Sequence, residues 1–228
     1  MKEIIIVFIV FLYSCSNSSK PLSEEQNNLT VKKEQKKPKT NIRKIDSARL
    51  LQESSKEDDI PVNDYLIEEL KPIRENFKKI NSISTSEWLL VLNKNIEGES
   101  TEGGEANFYY YNDSLYKIIE RNFGESLQEL NEYYLLNGKL SFVFEKRYNY
   151  NRPIYWDSTT MKENNDNQIF DINKSEIIET RSYFENNGLI HQLYSQDCGA
   201  PFTGDYLQQE QKRILANFDE LIKLSKQK

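Results

Sequence analysis

The dipeptide Asn137-Gly138 separates two stretches rich in Tyr, Phe and Leu, and it restricts the fold of this chain more than any other feature. Asn-Gly favours a two-residue β-turn, because both turn positions need positive φ angles. The resulting register brings Leu135 opposite Leu140 and Tyr133 opposite Phe142. Apolar residues, continued by Phe144, then fall on one face of the hairpin and polar residues on the other. The sequence therefore predicts a hairpin with one apolar face.

Similar turn sequences separate the other aromatic stretches of residues 105–194. They are Asn112-Asp113, Gly124-Glu125-Ser126 and Asn186-Asn187-Gly188. Short strands between such turns are typical of an antiparallel sheet. Apolar residues at a spacing of three to four predict helices at about 66–81 and 205–224, the first becoming regular at Pro72 and the second capped by Asp205. We therefore predict an α+β fold, an antiparallel β-meander sheet of 5–7 strands with flanking N- and C-terminal helices.

An aromatic pair precedes the turn asparagine in three of these hairpins. The pairs are Phe108-Tyr109 before Asn112, Tyr133-Tyr134 before Asn137, and Tyr183-Phe184 before Asn187. This unit resembles the MORN-type hairpin, in which a strand pair recurs about every two dozen residues, although the usual glycines of that family are absent here. A generic β-meander with aromatic cross-strand pairs gives the same pattern, and we favour it.

The N-terminus carries an unbroken run of ten apolar residues, Ile4 to Tyr13, which is followed by Ser14-Cys15 and a polar tract. A membrane-spanning helix needs about 20 such residues, so the run has the length of a signal-peptide core. Leu12-Tyr13-Ser14-Cys15 resembles the lipobox of bacterial lipoproteins, with Tyr13 bulkier than usual. The resemblance implies a signal peptide at 1–14 and a diacylglycerol thioether on Cys15. The alternatives are an ordinary secretory peptide and a buried N-terminal strand.

Composition divides the rest of the chain. Residues 15–58 are polar and poor in aromatics, which predicts a flexible tether. The tether carries 10 basic and 7 acidic residues, whereas residues 59–228 carry 19 and 28 and are expected to form a single globular α+β domain. This acidic excess argues against a nucleic-acid partner. We expect attachment to a membrane of the bacterial cell envelope through lipid on Cys15, by preference the outer membrane.

The sequence offers few residues for catalysis or metal binding. It has one histidine and two cysteines, which excludes most zinc sites. His191 falls within a predicted strand and Cys198 within a turn, and both are interpreted as structural. The acidic stretch Glu97–Glu105 matches no calcium loop and is interpreted as a solvated loop. We expect no enzyme, no metal and no cofactor, and an enzyme that uses only carboxylates is the least favoured class.

Aromatic residues are the one suggestive excess, at 12% of the chain. Tyrosine and tryptophan combine an apolar ring with a polar tip and suit surfaces that bind proteins or glycans. The candidate binding-surface residues are Tyr109, Tyr111, Tyr150, Tyr155 and Trp156. The last three border the polar insertion 149–175. A loop of this length is usually either functional or disordered. We expect a non-catalytic binding or interaction head, the alternative being an immunity or inhibitor lipoprotein against a toxin or hydrolase.

Overall fold

The computed structural model describes residues 64–84, 86–88, 90–98, 102–196 and 202–227. In these ranges the strands are β1 (Leu90–Ile96), β2 (Gly104–Tyr111), β3 (Ser114–Phe123), β4 (Leu127–Leu136), β5 (Lys139–Asn149), β6 (Glu176–Glu185) and β7 (Gly188–Tyr194). The helices are α1 (Ile67–Ser82), α2 (Ser158–Glu163) and α3 (Gly204–Ser225). The predicted α+β fold is confirmed. Cys15, the tether and Cys198 lie outside the described residues.

The seven strands form one antiparallel sheet in the order β1 to β7, so each strand pairs with the next in sequence. Three of the hairpins have two-residue turns with positive φ at both positions. These turns are Asn112-Asp113, Asn137-Gly138 and Asn186-Asn187. Positive φ at both positions matches the right-handed twist of the flanking strands, and asparagine and glycine tolerate it best. Local turn chemistry thus sets the meander.

The predicted register of the β4–β5 hairpin is confirmed at the turn and wrong beyond it. Leu135 lies opposite Leu140, but the register then shifts, so that Tyr134 rather than Tyr133 lies opposite Phe142. The Ser141 hydroxyl donates to the carbonyl oxygen of Tyr134 at this irregularity, at 2.9 Å. A β-bulge inserts one residue into one strand of a pair, which local hydrophobic alternation does not reveal.

Helices cover both faces of the sheet. We call the face that packs against α1 the first face; its buried side chains are Tyr134, Phe142, Phe144 and Tyr183. The second face packs against α3 through Phe108, Ile118, Tyr133, Val143 and Phe184. The prediction of a single apolar face is therefore wrong, because the side that carries the polar residues of β5 also carries Val143, which is fully buried.

Both flanking helices are found within one residue of the predicted ends, but the details of their first turns differ from the prediction. α1 begins at Ile67 after a 3-10 turn, so Pro72 lies inside the helix rather than at its start. Pro72 is exposed, which keeps its ring away from the core. The N-cap of α3 is Thr203, whose hydroxyl accepts a hydrogen bond from the backbone N–H of Tyr206 at 3.3 Å. Asp205 lies in the first turn, where a negative charge favours the helix dipole.

A buried carboxylate fixes α3 on the second face. Glu120 is 2% exposed and accepts hydrogen bonds from Asn131 at 3.1 Å, Tyr133 at 3.2 Å and Asn217 of α3 at 2.9 Å. Burial, followed by the negative charges of Glu120 and Glu145, raises the pKa of the Tyr133 hydroxyl well above its ordinary value. The phenol thus stays protonated and can donate. Buried polar groups with satisfied hydrogen bonds favour one helix position over others.

Candidate functional site

The five candidate aromatic residues fall into two groups at opposite ends of the sheet. Tyr109 and Tyr111 lie at the end of β2, where Tyr111 pairs with the first residue of β3. The other three follow β5, whose last residue pairs with the first residue of β4. Since β3 runs the full height of the sheet between these ends, the two groups are separate surfaces.

The first group belongs to a larger aromatic cluster on the first face. Trp88 contacts Tyr109 edge to face with 5.4 Å between ring centroids, and it lies 6.4 Å from Tyr116. Tyr111 lies 6.2 Å from Tyr116. We call Trp88, Tyr109, Tyr111 and Tyr116 the aromatic corner. The sequence prediction missed Trp88 and Tyr116 as site residues, and the one available signal was their position beside the tyrosines of a predicted hairpin.

An exposed apolar side chain of β1 borders the aromatic corner. Val91 pairs with Tyr109 and is 43% exposed, whereas its neighbour Leu90 pairs with Tyr110 and points to the second face. Tyr111 is 37% exposed. Single exposed apolar residues are ordinary, whereas a group of them around aromatic rings is typical of a surface that another molecule covers.

A buried ion pair lies beneath the aromatic corner. Lys117 pairs with Tyr109 and Tyr134 on the adjacent strands, and its ammonium lies 2.8 Å from Glu132 and 4.7 Å from the centre of the Tyr134 ring. It also donates to Asn81 of α1 at 3.1 Å. The Tyr134 hydroxyl donates to Glu132 at 2.5 Å. Lys117 therefore joins Glu132 of β4 to Asn81 of α1, and these contacts anchor α1 to the sheet.

The insertion at 149–175 is folded around short-range contacts. The Arg152 guanidinium donates two hydrogen bonds, of 2.5 and 2.9 Å, to the Asp166 carboxylate. The Asn151 side chain donates to the carbonyl of Ile169 at 3.0 Å and accepts from the N–H of Asp171 at 2.9 Å. Bidentate arginine–carboxylate pairs fix geometry as well as charge. These contacts close the insertion into an ordered loop that contains α2.

The second group of candidate aromatics is largely packed into this loop. Tyr150 contacts Phe170 with 5.1 Å between ring centroids, and burial, with a smaller effect of Tyr148, raises the pKa of Tyr150 to about 12. Trp156 is half-buried and lies 6.1 Å from Tyr155. Only Tyr155 of these three is exposed, at 48%. Ile169, also in this loop, is 45% exposed, so the loop and the aromatic corner both present some apolar surface.

The Arg152–Asp166 pair predicts an acid-sensitive loop. The Arg152 hydrogen bond, supported by two backbone N–H groups, holds the pKa of Asp166 well below its usual range. A lowered carboxyl pKa stabilises the folded loop above the ordinary aspartate pKa, and this contribution is lost as pH falls through the lowered value. In a Trp88→Phe background, we expect an acid transition in Trp156 fluorescence that Asp166→Asn removes. Asp113→Asn, in an exposed turn, is the control; an unchanged transition in Asp166→Asn would contradict the assignment.

The described residues show no assembled metal centre. No three His, Cys, Asp or Glu side chains in these ranges are placed to hold a metal ion together. Glu97, Glu102 and Glu105 of the acidic stretch are described, whereas Glu99 is not. His191 lies within β7 and pairs with Tyr183, with 5.9 Å between the rings. Burial lowers the pKa of His191 and the charge of Glu69 opposes the shift.

Comparison with known proteins finds no match for this chain. No family model, no curated protein and no solved structure matches the chain. Within the described part, no helix has both the length and the apolar content needed to cross a membrane.

Proposed function

We propose that this chain is a membrane-anchored lipoprotein of the bacterial cell envelope whose head binds a partner protein through the aromatic corner. The observation that carries the binding role is the exposure of Val91 and Tyr111 around a cluster of packed rings. The resemblance of Leu12–Cys15 to a lipobox supports the anchor. The tether at 15–58 would hold the head away from the bilayer.

The chemistry of the aromatic corner favours a protein over a glycan. Aromatic rings can stack on sugars, but a glycan also brings many hydroxyl groups that need polar partners. The accessible neighbours of the rings include the aliphatic side chain of Val91, which offers none. Apolar and aromatic side chains together are typical of the central part of a protein–protein interface.

An immunity or inhibitor role against a toxin or hydrolase is the second candidate. The excess of acidic over basic residues in 59–228 favours it, because an acidic head attracts a basic enzyme. This candidate shares the proposed surface and differs in the partner, which would be a single enzyme that loses activity in the complex. Assay of the captured partner separates the two roles.

Substitution in the aromatic corner is expected to prevent partner capture. The double variant Val91→Lys/Tyr111→Ser places a charge in the apolar surface while changing only exposed side chains. We expect recovery of the partner to fall by about tenfold or more. This corresponds to a loss of at least about 1.4 kcal/mol in binding free energy, as is found for important interface residues. The measurement is quantitative mass spectrometry of proteins crosslinked to the full chain in its own membranes.

Tyr155→Ser is the matched control for that variant, because Tyr155 is as exposed and lies at the other end of the sheet. It should leave capture unchanged, and the melting temperatures of all variants should agree. Equal loss in the control, or full capture by the double variant, would refute the proposed surface.

A further inference from the structure

β1 is the outermost strand of the sheet and is regular along its whole length. It pairs with β2 through seven consecutive residue pairs without a register shift. No described strand pairs with its other edge. Backbone N–H and C=O groups along such an edge are saturated only by water or by another extended chain.

The features that usually protect an edge strand are missing from β1. Its sequence, LVLNKNI, contains no proline, and its ladder contains no bulge. The one charged residue, Lys94, donates to the carbonyl of Gln227 beyond the end of α3 at 2.8 Å, so its ammonium is drawn away from the edge. Proline, bulges and outward-pointing lysines are the usual means by which native sheets prevent further pairing.

The opposite edge of the sheet, formed by β7, has features that protect it from further strand pairing. β7 has a register shift against β6 between Tyr183 and Phe184. The N–H of Leu189 in β7 donates to the Gln211 side chain of α3 at 2.9 Å, so α3 already occupies part of that edge. Among the residues that the structure describes, β1 is therefore the edge that remains available for pairing.

We propose that β1 pairs antiparallel with β1 of a second copy of this chain, about a twofold axis at Asn93. In this register Asn93 meets its own counterpart, Val91 meets Asn95, and Leu92 meets Lys94 of the second copy. Leu90 meets Ile96. In this register no two like charges face each other. β1 has seven residues, so its central residue, the neutral Asn93, lies on the axis. Self-complementary pairing of this kind closes a dimer rather than a fibre.

This dimer extends the sheet without covering the aromatic corner. A twofold axis perpendicular to the sheet keeps the first faces of both copies on the same side. The two Val91 residues would lie about 14 Å apart along the paired strands, from a rise of about 3.4 Å per residue. The dimer therefore presents two aromatic corners side by side. The dimer proposal does not depend on the proposed partner protein.

Cysteine crosslinking in the native membrane tests both the dimer and its register. Three single variants of the full chain, Val91→Cys, Asn93→Cys and Asn95→Cys, are made in a Cys198→Ser background with two different epitope tags. We expect Asn93→Cys to crosslink with itself under a short thiol-reactive reagent. We expect Val91→Cys to crosslink with Asn95→Cys, and each of these two far less with itself. Asp113→Cys, in the exposed β2–β3 turn, is the control.

Each outcome of this experiment decides the proposal. Crosslinks confined to the predicted combinations, at least tenfold above the Asp113→Cys control, support pairing about Asn93. Absent dimers, crosslinks equal to the control, or adducts of β1 with a different protein would overturn it. Asn93→Asp and Asn93→Lys provide a second readout through the crosslink between Val91→Cys and Asn95→Cys. Each alone should lower that crosslink by about twofold to fivefold and the mixed pair should restore it, because equal charges on the axis repel and opposite charges attract.

Discussion

Replacing Cys15 with serine is expected to abolish acylation and leave an unprocessed precursor. In the lipoproteins that this N-terminus resembles, the processing peptidase acts on the lipidated cysteine, so a serine stops both steps. In such lipoproteins the acyl chains provide the membrane affinity, at about 0.8 kcal/mol for each buried CH₂ group. We therefore expect the intact mass of Cys15→Ser to show the signal peptide and no added lipid.

Cys198→Ser is the matched control for Cys15→Ser. It should leave processing and membrane partition unchanged and cost about 1 kcal/mol or less of folding stability. A mature wild-type N-terminus without acyl mass, or unchanged membrane partition of Cys15→Ser, would end the lipoprotein proposal. Loss of partner capture in Cys198→Ser with the fold intact would show that Cys198 is more than a structural residue.

Replacing Glu132 with glutamine is expected to cost about 3–5 kcal/mol in the free energy of unfolding, because it leaves a buried ammonium without its counter-charge. The Glu132 side chain is 1% exposed and that of Lys117 is 11% exposed, with 2.8 Å between the charged atoms. Because only 11% of the Lys117 side chain is exposed, water compensates weakly for the lost carboxylate. Denaturant-induced unfolding, followed by far-ultraviolet circular dichroism, measures the loss.

Two further variants separate the buried charge from the loss of a contact. Glu179→Gln also breaks ion pairs on the first face, but its side chain is 27% exposed and water can replace it, so we expect a cost below about 1 kcal/mol. Lys117→Met combined with Glu132→Leu removes both charges and should restore most of the stability that Glu132→Gln loses. A double variant that is less stable than Glu132→Gln would contradict this account.

The turn positions show how far local sequence determines this fold. Asn137 and Gly138 adopt the positive φ angles that their chemistry favours, and Asn186 and Asn187 do the same in the last hairpin. A turn depends on its own few residues, so it can be predicted without knowledge of distant parts of the chain. The same holds for the two flanking helices, whose apolar spacing of three to four defines a buried stripe.

The candidate site was only partly predictable, because its residues come from distant parts of the chain. Tyr109 and Tyr111 were identified from their excess of aromatic neighbours in the sequence. Trp88 joins them only because α1 crosses the first face and delivers the following segment beside β2 and β3. Contacts between residues distant in the chain leave no local pattern, so a list of aromatic residues cannot show which of them meet.

By itself the sequence determined the number of strands to within the predicted range of 5–7, the antiparallel order and the positions of both flanking helices. These features follow from turn chemistry and from the periodicity of apolar residues, which act over a few positions. The tertiary structure decided the register shift at Tyr134, the burial of both sheet faces and the ion pair of Lys117 with Glu132. Those depend on which helix covers which face, and packing across the whole sheet selects among local arrangements of similar energy.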